Sequence, residues 1–275
     1  MTTGHPRIAF VGGGNMARSI IGGLMEAGHP ADTIAVGEPN EDARARLAEL
    51  GPLVLPASNE EVVGGAALVV LAVKPQVMEQ VARPLAEAVQ ASGSVVMSIA
   101  AGITCAQLER WLGPVPVVRC MPNTPALLGV GAAGLYATPK VDAAGRALAE
   151  SVMEAVGTAT WVDEERQVDA VTAASGSGPA YYFLLMEKMV AAGTELGLPE
   201  STARALVLQT ALGAARMAVE SGVAPAELRR QVTSPGGTTA AALEAFEAGG
   251  FGELVSRAMH DAAARADALA RELDG

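Results

Sequence analysis

The stretch Ile8-Ala9-Phe10-Val11-Gly12-Gly13-Gly14-Asn15-Met16-Ala17 decides how the first part of this chain folds. The apolar run 8–11 predicts a buried strand and the pattern after the glycines predicts a helix, so the glycines form a strand-to-helix turn. In such a G-x-G-x-x-A turn, Gly12 permits the tight bend and Gly14 lets a pyrophosphate approach the backbone and the helix N-terminus. An ordinary glycine-rich turn is the alternative. We predict a dinucleotide-binding turn at which Gly12, Gly14 and the start of the following helix contact the cofactor.

Short apolar and β-branched runs alternate with helical patterns through the first 160 residues or so, which is typical of parallel βαβ units. Several runs are apolar throughout, as expected for strands covered on both faces. The sequence therefore predicts a Rossmann-like, doubly wound α/β domain over residues 1–163. The predicted strands are 7–11, 33–37, 53–54, 68–72, 94–98, 115–120, 131–137 and 157–162, and the helical patterns between them include 15–27, 41–50 and 76–91.

After about Glu164 only helical patterns follow, so residues 164–275 are predicted to form a second, all-helical domain. The helix from Pro179 is apolar around most of its circumference, and we expect it to be covered either by the rest of the chain or by another subunit. The predicted helices are 163–174, 179–196, 200–220, 225–232, 239–248 and 251–273. In the last helix one buried stripe is predicted, consisting of Val255, Met259, Ala262, Ala266, Leu269 and Leu273.

Composition and charge exclude several classes of function. The 275 residues carry 19 Lys and Arg against 30 Asp and Glu, a net charge of −11 that opposes nucleic-acid binding. The longest apolar run, 66–73, is far shorter than the roughly 20 residues of a membrane-spanning helix, so no membrane association is expected. The chain opens on a short polar stretch, so we expect a cytoplasmic protein. Cys105 and Cys120 lack metal-site spacing and are expected to be reduced and buried.

Two charged residues follow predicted strands. Glu38 lies about 20 residues beyond the glycines, where an acidic side chain accepts hydrogen bonds from ribose hydroxyls and repels a 2′-phosphate. This favours NADH over NADPH, although Glu38-Pro39-Asn40 also suits a turn and helix cap. Lys74, one of three lysines, follows the strand 68–72 at the sheet edge where ligands lie, or else is a solvated loop lysine.

Three further segments carry candidate ligand groups. Asn123, between two prolines, offers an amide that can hold a nicotinamide or substrate group, with a structural turn as the alternative. The segment 175–179, Ser-Gly-Ser-Gly-Pro, allows close backbone approach or a helix hinge. Ser234-Pro235-Gly236-Gly237-Thr238-Thr239 combines exposed N–H groups, hydroxyls and a helix start. It suits a small carboxylate, or is a plain threonine-capped helix start.

The histidines give no support to other enzyme classes. His5, His29 and His260 lie in no catalytic or metal-binding arrangement, and neither a GxSxG nor an HExxH motif is present. The sequence therefore predicts no metal site and favours neither a hydrolase nor a metalloenzyme.

Taken in order, these motifs resemble those of the pyrroline-5-carboxylate reductases over essentially the whole chain. The resemblance rests on segments 12–17, 72–75, 119–125, 175–181 and 234–239. The last two are quite specific to that family, whereas the glycine turn is shared with other dehydrogenases.

The resemblance implies a reductase that passes hydride from NADPH or NADH to the C=N carbon of 1-pyrroline-5-carboxylate and gives L-proline, the last step of proline synthesis. It implies that the helical domain serves dimerisation and substrate binding, in a homodimer commonly assembled into a decamer. Family members vary at Glu38, so both cofactors stay open. The contacts that the resemblance implies are Gly12, Gly14, Asn15, Met16 and Ala17 for the pyrophosphate, Asn59, Ala72, Val73, Lys74 and Pro75 around the adenosine, and Ala100 and Asn123 nearer the nicotinamide. Glu38 and Pro39, which follow the second predicted strand, are further predicted cofactor contacts.

For the substrate, the resemblance implies that backbone amides of Gly237, Thr238 and Thr239 hold the carboxylate, with Ser234 beside it and Glu165 close to the ligand. The hydroxyl of Thr239 matches the family position that hydrogen-bonds the ring nitrogen, so Thr239 is the expected catalytic residue. A protonated cyclic imine is already an electrophile, so no histidine acid is needed and catalysis rests on positioning.

Two other functions stay open on the sequence. One is an oxidoreductase of the same architecture acting on another imine or a β-hydroxyacid. The hydroxyacid enzymes use a lysine in the helical domain, and the candidate here, Lys188, lies in an apolar helix. The other is a non-catalytic nucleotide-binding regulator, which we would expect to have lost the glycine turn or the threonine-rich segment; this chain keeps both.

Overall fold

The computed structural model describes residues 5–273, which form two compact units. The first runs up to Ser177 and includes the segment from Asp261 onward; the second is Gly178–His260. Seven strands belong to the first unit: β1 (Ile8–Val11), β2 (Ile34–Gly37), β3 (Leu68–Leu71), β4 (Val95–Ser98), β5 (Val117–Met121), β6 (Gly131–Ala137) and β7 (Gly157–Trp161). Its helices are α1 (Asn15–Glu26), α2 (Glu41–Ala48), α3 (Asn59–Val63), α4 (Met78–Ser92), α5 (Cys105–Leu112), α6 (Ala143–Glu154) and α7 (Gln167–Val171).

The strands form one sheet in the order β2-β1-β3-β4-β5-β6-β7, with the first five parallel. Side chains alternate along β1, so Ile8 and Phe10 pack in an apolar cluster with α1 and α6, whereas Ala9 and Val11 pack in another with α3, α4 and α5. The sheet is thus covered on both faces, which confirms the doubly wound fold. The strand order reverses beside β1, so the glycines after Val11 lie at the switch point where such sheets bind ligands.

The far edge of the sheet departs from the predicted parallel pattern. β6 pairs with β5 antiparallel, with Cys120 opposite Leu135, and β7 follows the direction of β6. The reason is the connection: only residues 122–130 join β5 to β6, and a parallel crossover needs about a dozen residues or more.

The predicted strand 53–54 is wrong, because the structure has only an isolated bridge between Ala35 and Val54. Pro52 and Pro56 flank the pair, and proline cannot donate to a ladder, so the bridge does not extend. Two helices that the sequence analysis left out had local signals. Thr104 forms a capping box at the start of α5, and Asp142 accepts a hydrogen bond from a backbone N–H at the start of α6.

The predicted helix 163–174 is divided. α7 begins only at Gln167, and a π-helical turn follows over Thr172–Gly176, where the Ser177 N–H donates to the Thr172 carbonyl at 2.8 Å. The small residues 173–176 let the helix widen in this way. π-turns are often found at functional sites.

The second unit consists of helices with almost no core of their own. Of its apolar side chains only Ala203 is buried, whereas Tyr182, Phe183 and Leu212 are each more than half exposed. None of the helices in residues 5–273 is long and apolar enough to cross a membrane. The helices of this part of the chain are α8 (Gly178–Glu195), α9 (Glu200–Ser221), α10 (Pro225–Gln231), α11 (Thr238–Ala248) and α12 (Phe251–Glu272).

The stripe predicted along α12 is only partly buried within one chain. Ala266 is buried, but Val255 is 42% exposed. From Asp261 onward the helix belongs to the first unit, where Leu269 and Leu273 lie near Gly102. The spacing of three or four residues predicts one apolar face, but of its six positions only Ala266 is fully buried within the chain.

Candidate functional site

The glycine turn, Gly12–Gly14, has the geometry that its sequence predicts. Gly12 has φ +102°, and a Cβ there would lie 2.8 Å from the carbonyl oxygen of Ala72, so no other residue fits without displacing the backbone of β3. A Cβ on Gly14 would meet nothing within 4 Å, and Gly14 precedes α1 with no side-chain cap. The start of α1 is therefore open, and its N–H groups fit the phosphates of a dinucleotide.

Glu38 lies at the end of β2 but makes contacts that the sequence did not predict. One carboxylate oxygen accepts the Gly13 N–H at 2.8 Å and the other accepts the Asn40 N–H at 2.9 Å. A Cβ on Gly13 would lie 2.5 Å from Leu47, so the turn packs closely against α2. Glu38 thus supports the glycine turn, and its contact with a ribose stays a prediction.

A cleft of about 590 Å³ opens beside β2, and we call it the ribose cleft. It brings together three of the predicted adenosine residues, Glu38, Pro39 and Asn59. It also contains Arg44, which the sequence analysis missed although a basic residue in the helix after β2 was the available signal. The guanidinium donates to the carbonyls of Leu55 at 2.9 Å and Pro56 at 3.2 Å.

The other predicted cofactor residues follow β3 and β4 at the same edge of the sheet. Ala72 donates its N–H to the Val11 carbonyl at 2.8 Å, which places it directly beside the glycine turn. Lys74 is exposed, and Pro75 begins a short 3₁₀ turn. Ala100, which follows β4, is buried. Carboxyl ends of neighbouring parallel strands form the ligand edge of such a sheet, so the structure brings these residues to the predicted place.

Asn123 is held by contacts inside the first unit. Its side-chain carbonyl accepts the Ala132 N–H at 2.9 Å, and its amide donates to the Ser175 hydroxyl at 3.2 Å and the Ser175 carbonyl at 3.3 Å. Ser175 in turn donates to the carbonyl of Ala132 at 3.0 Å. The amide therefore ties the loop after β5 to the π-helical turn, and its contact with a nicotinamide stays a prediction.

Glu165 belongs to a charged cluster built around Arg119, a buried arginine in the otherwise apolar strand β5. Arg119 lies 3.5 Å from a Glu165 oxygen and 2.9 Å from Asp169. The same Glu165 oxygen accepts the N–H of Cys105, the first residue of α5, at 2.7 Å. An arginine in an apolar strand indicates that a carboxylate is buried beside it. The sequence does not identify that carboxylate, because Glu165 and Asp169 are distant from Arg119 along the chain.

Both cysteines are free and buried, in agreement with the prediction. Burial, and after it the negative charge of Glu165, raise the pKa of the Cys105 thiol well above its ordinary value. The thiol is therefore neutral at physiological pH, and Cys105 is no nucleophile.

The segment 234–239, which we call the carboxylate nest, lies in the second unit. Gly236 has φ +68°, and the Gly237 N–H donates to the Ser234 carbonyl at 3.0 Å, which closes the turn. Gly237 precedes α11 and provides no side-chain cap, so the N–H groups of Thr238 and Thr239 have no acceptor inside the helix. This arrangement fits a small anion and brings together four predicted substrate residues, Ser234, Gly237, Thr238 and Thr239. The fifth, Glu165, belongs to the other unit.

A doubly wound sheet with an open glycine turn at its switch point, in a chain that also has a helical unit with an uncapped helix start, defines a dinucleotide-dependent oxidoreductase of the Rossmann type. Known proteins narrow this class. Residues 165–269 match the family pattern described as pyrroline-5-carboxylate reductase dimerisation, and residues 7–102 match the pattern described as NADP oxidoreductase coenzyme F420-dependent. A pyrroline-5-carboxylate reductase of Pseudomonas aeruginosa is 55% identical over 269 residues, 98% of each chain.

Solved structures agree. A pyrroline-5-carboxylate reductase from Coxiella burnetii is 42% identical and has a TM-score of 0.93, covering 96% of this chain and 98% of its own. Plasmodium falciparum pyrroline carboxylate reductase with NADP bound is 27% identical and has a TM-score of 0.83, covering 97% of this chain and 98% of its own. The chain belongs to the pyrroline-5-carboxylate reductase family.

Proposed function

We propose that this protein reduces 1-pyrroline-5-carboxylate to L-proline, the last step of proline biosynthesis, with NADPH or NADH. The carboxylate nest carries the proposal, because its family-specific sequence folds as an uncapped helix start of the kind that binds a small carboxylate. The relatives named as pyrroline-5-carboxylate reductases support the substrate and product.

The first unit holds the cofactor in this proposal. The open start of α1, with Gly12, Gly14 and the residues 15–17, takes the pyrophosphate. The ribose cleft takes the adenosine, with Glu38, Pro39, Asn59 and the segment 72–75 around it, and Ala100 and Asn123 lie nearer the nicotinamide. NAD(P)H, when bound, supplies the hydride.

The second unit holds the substrate. The free backbone N–H groups of Thr238 and Thr239 bind the carboxylate at the turn formed by Gly237, with Ser234 beside it, and the Thr239 hydroxyl orients the ring nitrogen. Glu165, the remaining substrate residue that the resemblance implies, belongs to the first unit, and its contact with the ligand stays a prediction. These residues hold the substrate in a reactive position. They do not have to donate a proton to activate it, because the protonated cyclic imine is already an electrophile.

The start of the family's dimerisation pattern at residue 165 supports domain limits of 1–163 and 164–275, whereas the compact units of the structure divide after Ser177 and before Asp261. The chain carries a dimerisation domain, and we propose a homodimer that assembles further into a decamer in the cytoplasm. The free, buried cysteines are in keeping with a reducing compartment. Light scattering on the purified protein distinguishes two from ten copies of the 27.8 kDa chain.

The direct test is the initial rate of absorbance loss at 340 nm with 1-pyrroline-5-carboxylate, measured side by side with NADPH and NADH. We expect rapid oxidation of at least one cofactor and stoichiometric formation of L-proline by chromatography. If NADPH or NADH is oxidised only with another imine, or only with the oxo compound that corresponds to a β-hydroxyacid, the related oxidoreductase replaces the proposal. If both cofactors bind and no imine is reduced, the non-catalytic nucleotide-binding regulator replaces it.

Thr239→Val should lower kcat/KM about 10-fold or more, because it removes one hydrogen bond to the reacting ring and keeps the backbone N–H. Thr239→Ser keeps the hydroxyl and should retain most of the rate. Thr238→Val is the matched control, since it removes the neighbouring hydroxyl from the same turn of α11. Equal rates for Thr239→Val and the wild type would remove the Thr239 hydroxyl from the mechanism.

A further inference from the structure

We propose that Arg44 binds the 2′-phosphate of NADPH and is the residue that determines cofactor preference in this protein. The inference rests on the proposed cofactor site and goes beyond it by assigning a residue that neither the glycine turn nor the family motifs include. It also opposes the preference for NADH that Glu38 predicts from sequence.

Among residues 5–273, no carboxylate compensates the positive charge of Arg44. Its guanidinium donates to three backbone carbonyls, those of Leu55 at 2.9 Å, Pro56 at 3.2 Å and Glu38 at 3.5 Å. It makes no ion pair with any of residues 5–273. Neutral acceptors leave the net charge in place, and the Nε–H keeps no acceptor among those residues, so the group can still bind a dianion.

The carbonyl contacts also fix where this charge lies. They hold the guanidinium between the end of β2 and the loop at Leu55 and Pro56, on the wall of the ribose cleft. A guanidinium that is already positioned loses little side-chain entropy when it binds a phosphate. The same cleft offers the side chains of Ser58 and Asn59.

Glu38 keeps its negative charge but is directed to the glycine turn instead of to Arg44. Each of its carboxylate oxygens accepts a backbone N–H, from Gly13 and from Asn40, which fixes the position of the carboxylate. A carboxylate with two such donors is stabilised where it is and does not compete for the guanidinium of Arg44. The cleft also contains the exposed carboxylate of Glu60, so binding of a 2′-phosphate here depends on direct contact with the Arg44 guanidinium.

The kinetic test compares kcat/KM for NADPH and for NADH. In Arg44→Gln we expect the ratio of the two to fall about 10- to 100-fold, the loss typical of one charged hydrogen-bonding partner. Arg44→Lys, which keeps a point charge, should restore part of the ratio. Arg46→Gln is the matched control, because Arg46 is an exposed residue of the same helix and contacts no polar group among residues 5–273; its ratio should stay within about twofold of the wild type.

A binding test separates the inference from the proposed activity. By calorimetry, Arg44→Gln should weaken 2′,5′-ADP by a factor similar to the kinetic one, whereas the affinity for 5′-AMP should change little. Equal losses for the two nucleotides, or an unchanged cofactor ratio, would overturn the inference and leave Arg44 as a support for the loop. Selective loss of 2′,5′-ADP in a protein that reduces no pyrroline-5-carboxylate would uphold the inference while the proposed function failed.

Discussion

Gly12→Ala is expected to destabilise the first unit by about 3 kcal/mol or more and to abolish cofactor binding. The alanine would have to adopt φ +102°, which disfavours any side chain, and its Cβ would lie 2.8 Å from the Ala72 carbonyl oxygen. The unfavourable φ and the close contact both involve backbone atoms, which cannot move aside as a flexible side chain can. The protein would therefore have to shift β1 or β3 to accommodate the alanine. Urea unfolding gives the stability, and quenching of protein fluorescence by NADPH gives the affinity.

Two other glycines serve as controls. Gly22→Ala lies in the interior of α1 with open space around its Cβ, and should stabilise the protein by about 0.5 to 1 kcal/mol. Gly14→Ala also meets nothing within 4 Å, so its stability should stay close to that of the wild type while its affinity for NADPH falls. A Gly12→Ala protein as stable as the wild type would show that the turn is less constrained than its geometry indicates.

The second large effect concerns association. Phe183→Glu should raise the dissociation constant of the dimer about 1000-fold or more, because two copies of a large apolar side chain lose their cover and two charges replace them. The expectation follows from α8, where Phe183 is 64% exposed within one chain of a protein that carries a dimerisation domain. Sedimentation equilibrium measures the dissociation, and Tm should rise with protein concentration in the wild type.

Val77→Glu is the matched control for Phe183→Glu. Val77 is also an exposed apolar residue, but it belongs to the first unit, outside the dimerisation pattern 165–269. We expect no change in its association. If Phe183→Glu sediments like the wild type, α8 is not part of the interface, and the apolar surface of the second unit needs another explanation.

Whether a feature of this structure can be predicted from the sequence depends on how far apart in the chain the interacting residues lie. β1, the glycine turn and the start of α1 follow from adjacent residues, and the structure has them as predicted. The direction of β6 depends on a connection too short to cross the sheet. The carboxylate partners of Arg119 and the Ser175 partner of Asn123 come from segments 46 to 52 residues away, which no local pattern specifies.

The second unit shows a different limit. Periodicity identified the apolar positions of α8 and α12, but an apolar position has the same sequence signature whether its own chain or another chain covers it. The pattern of a single helix therefore does not tell whether its apolar face is buried within the chain or against another subunit. For α8, the match of residues 165–269 to the dimerisation pattern favours another subunit, and the exposure of Phe183 agrees with it.

The contacts of Glu38 have a consequence for redesign of coenzyme choice. In such folds, exchange of the acidic residue after the second strand for a small or basic one is expected to admit the extra phosphate of NADPH. Here that exchange would also remove the acceptor of the Gly13 N–H. The glycine turn, which is expected to bind the pyrophosphate of either coenzyme, would then be held less firmly. A substitution of Glu38 therefore changes both the preference between NADPH and NADH and the affinity for the two coenzymes. At Arg44, we expect a substitution to change the preference and leave the affinity for NADH in place.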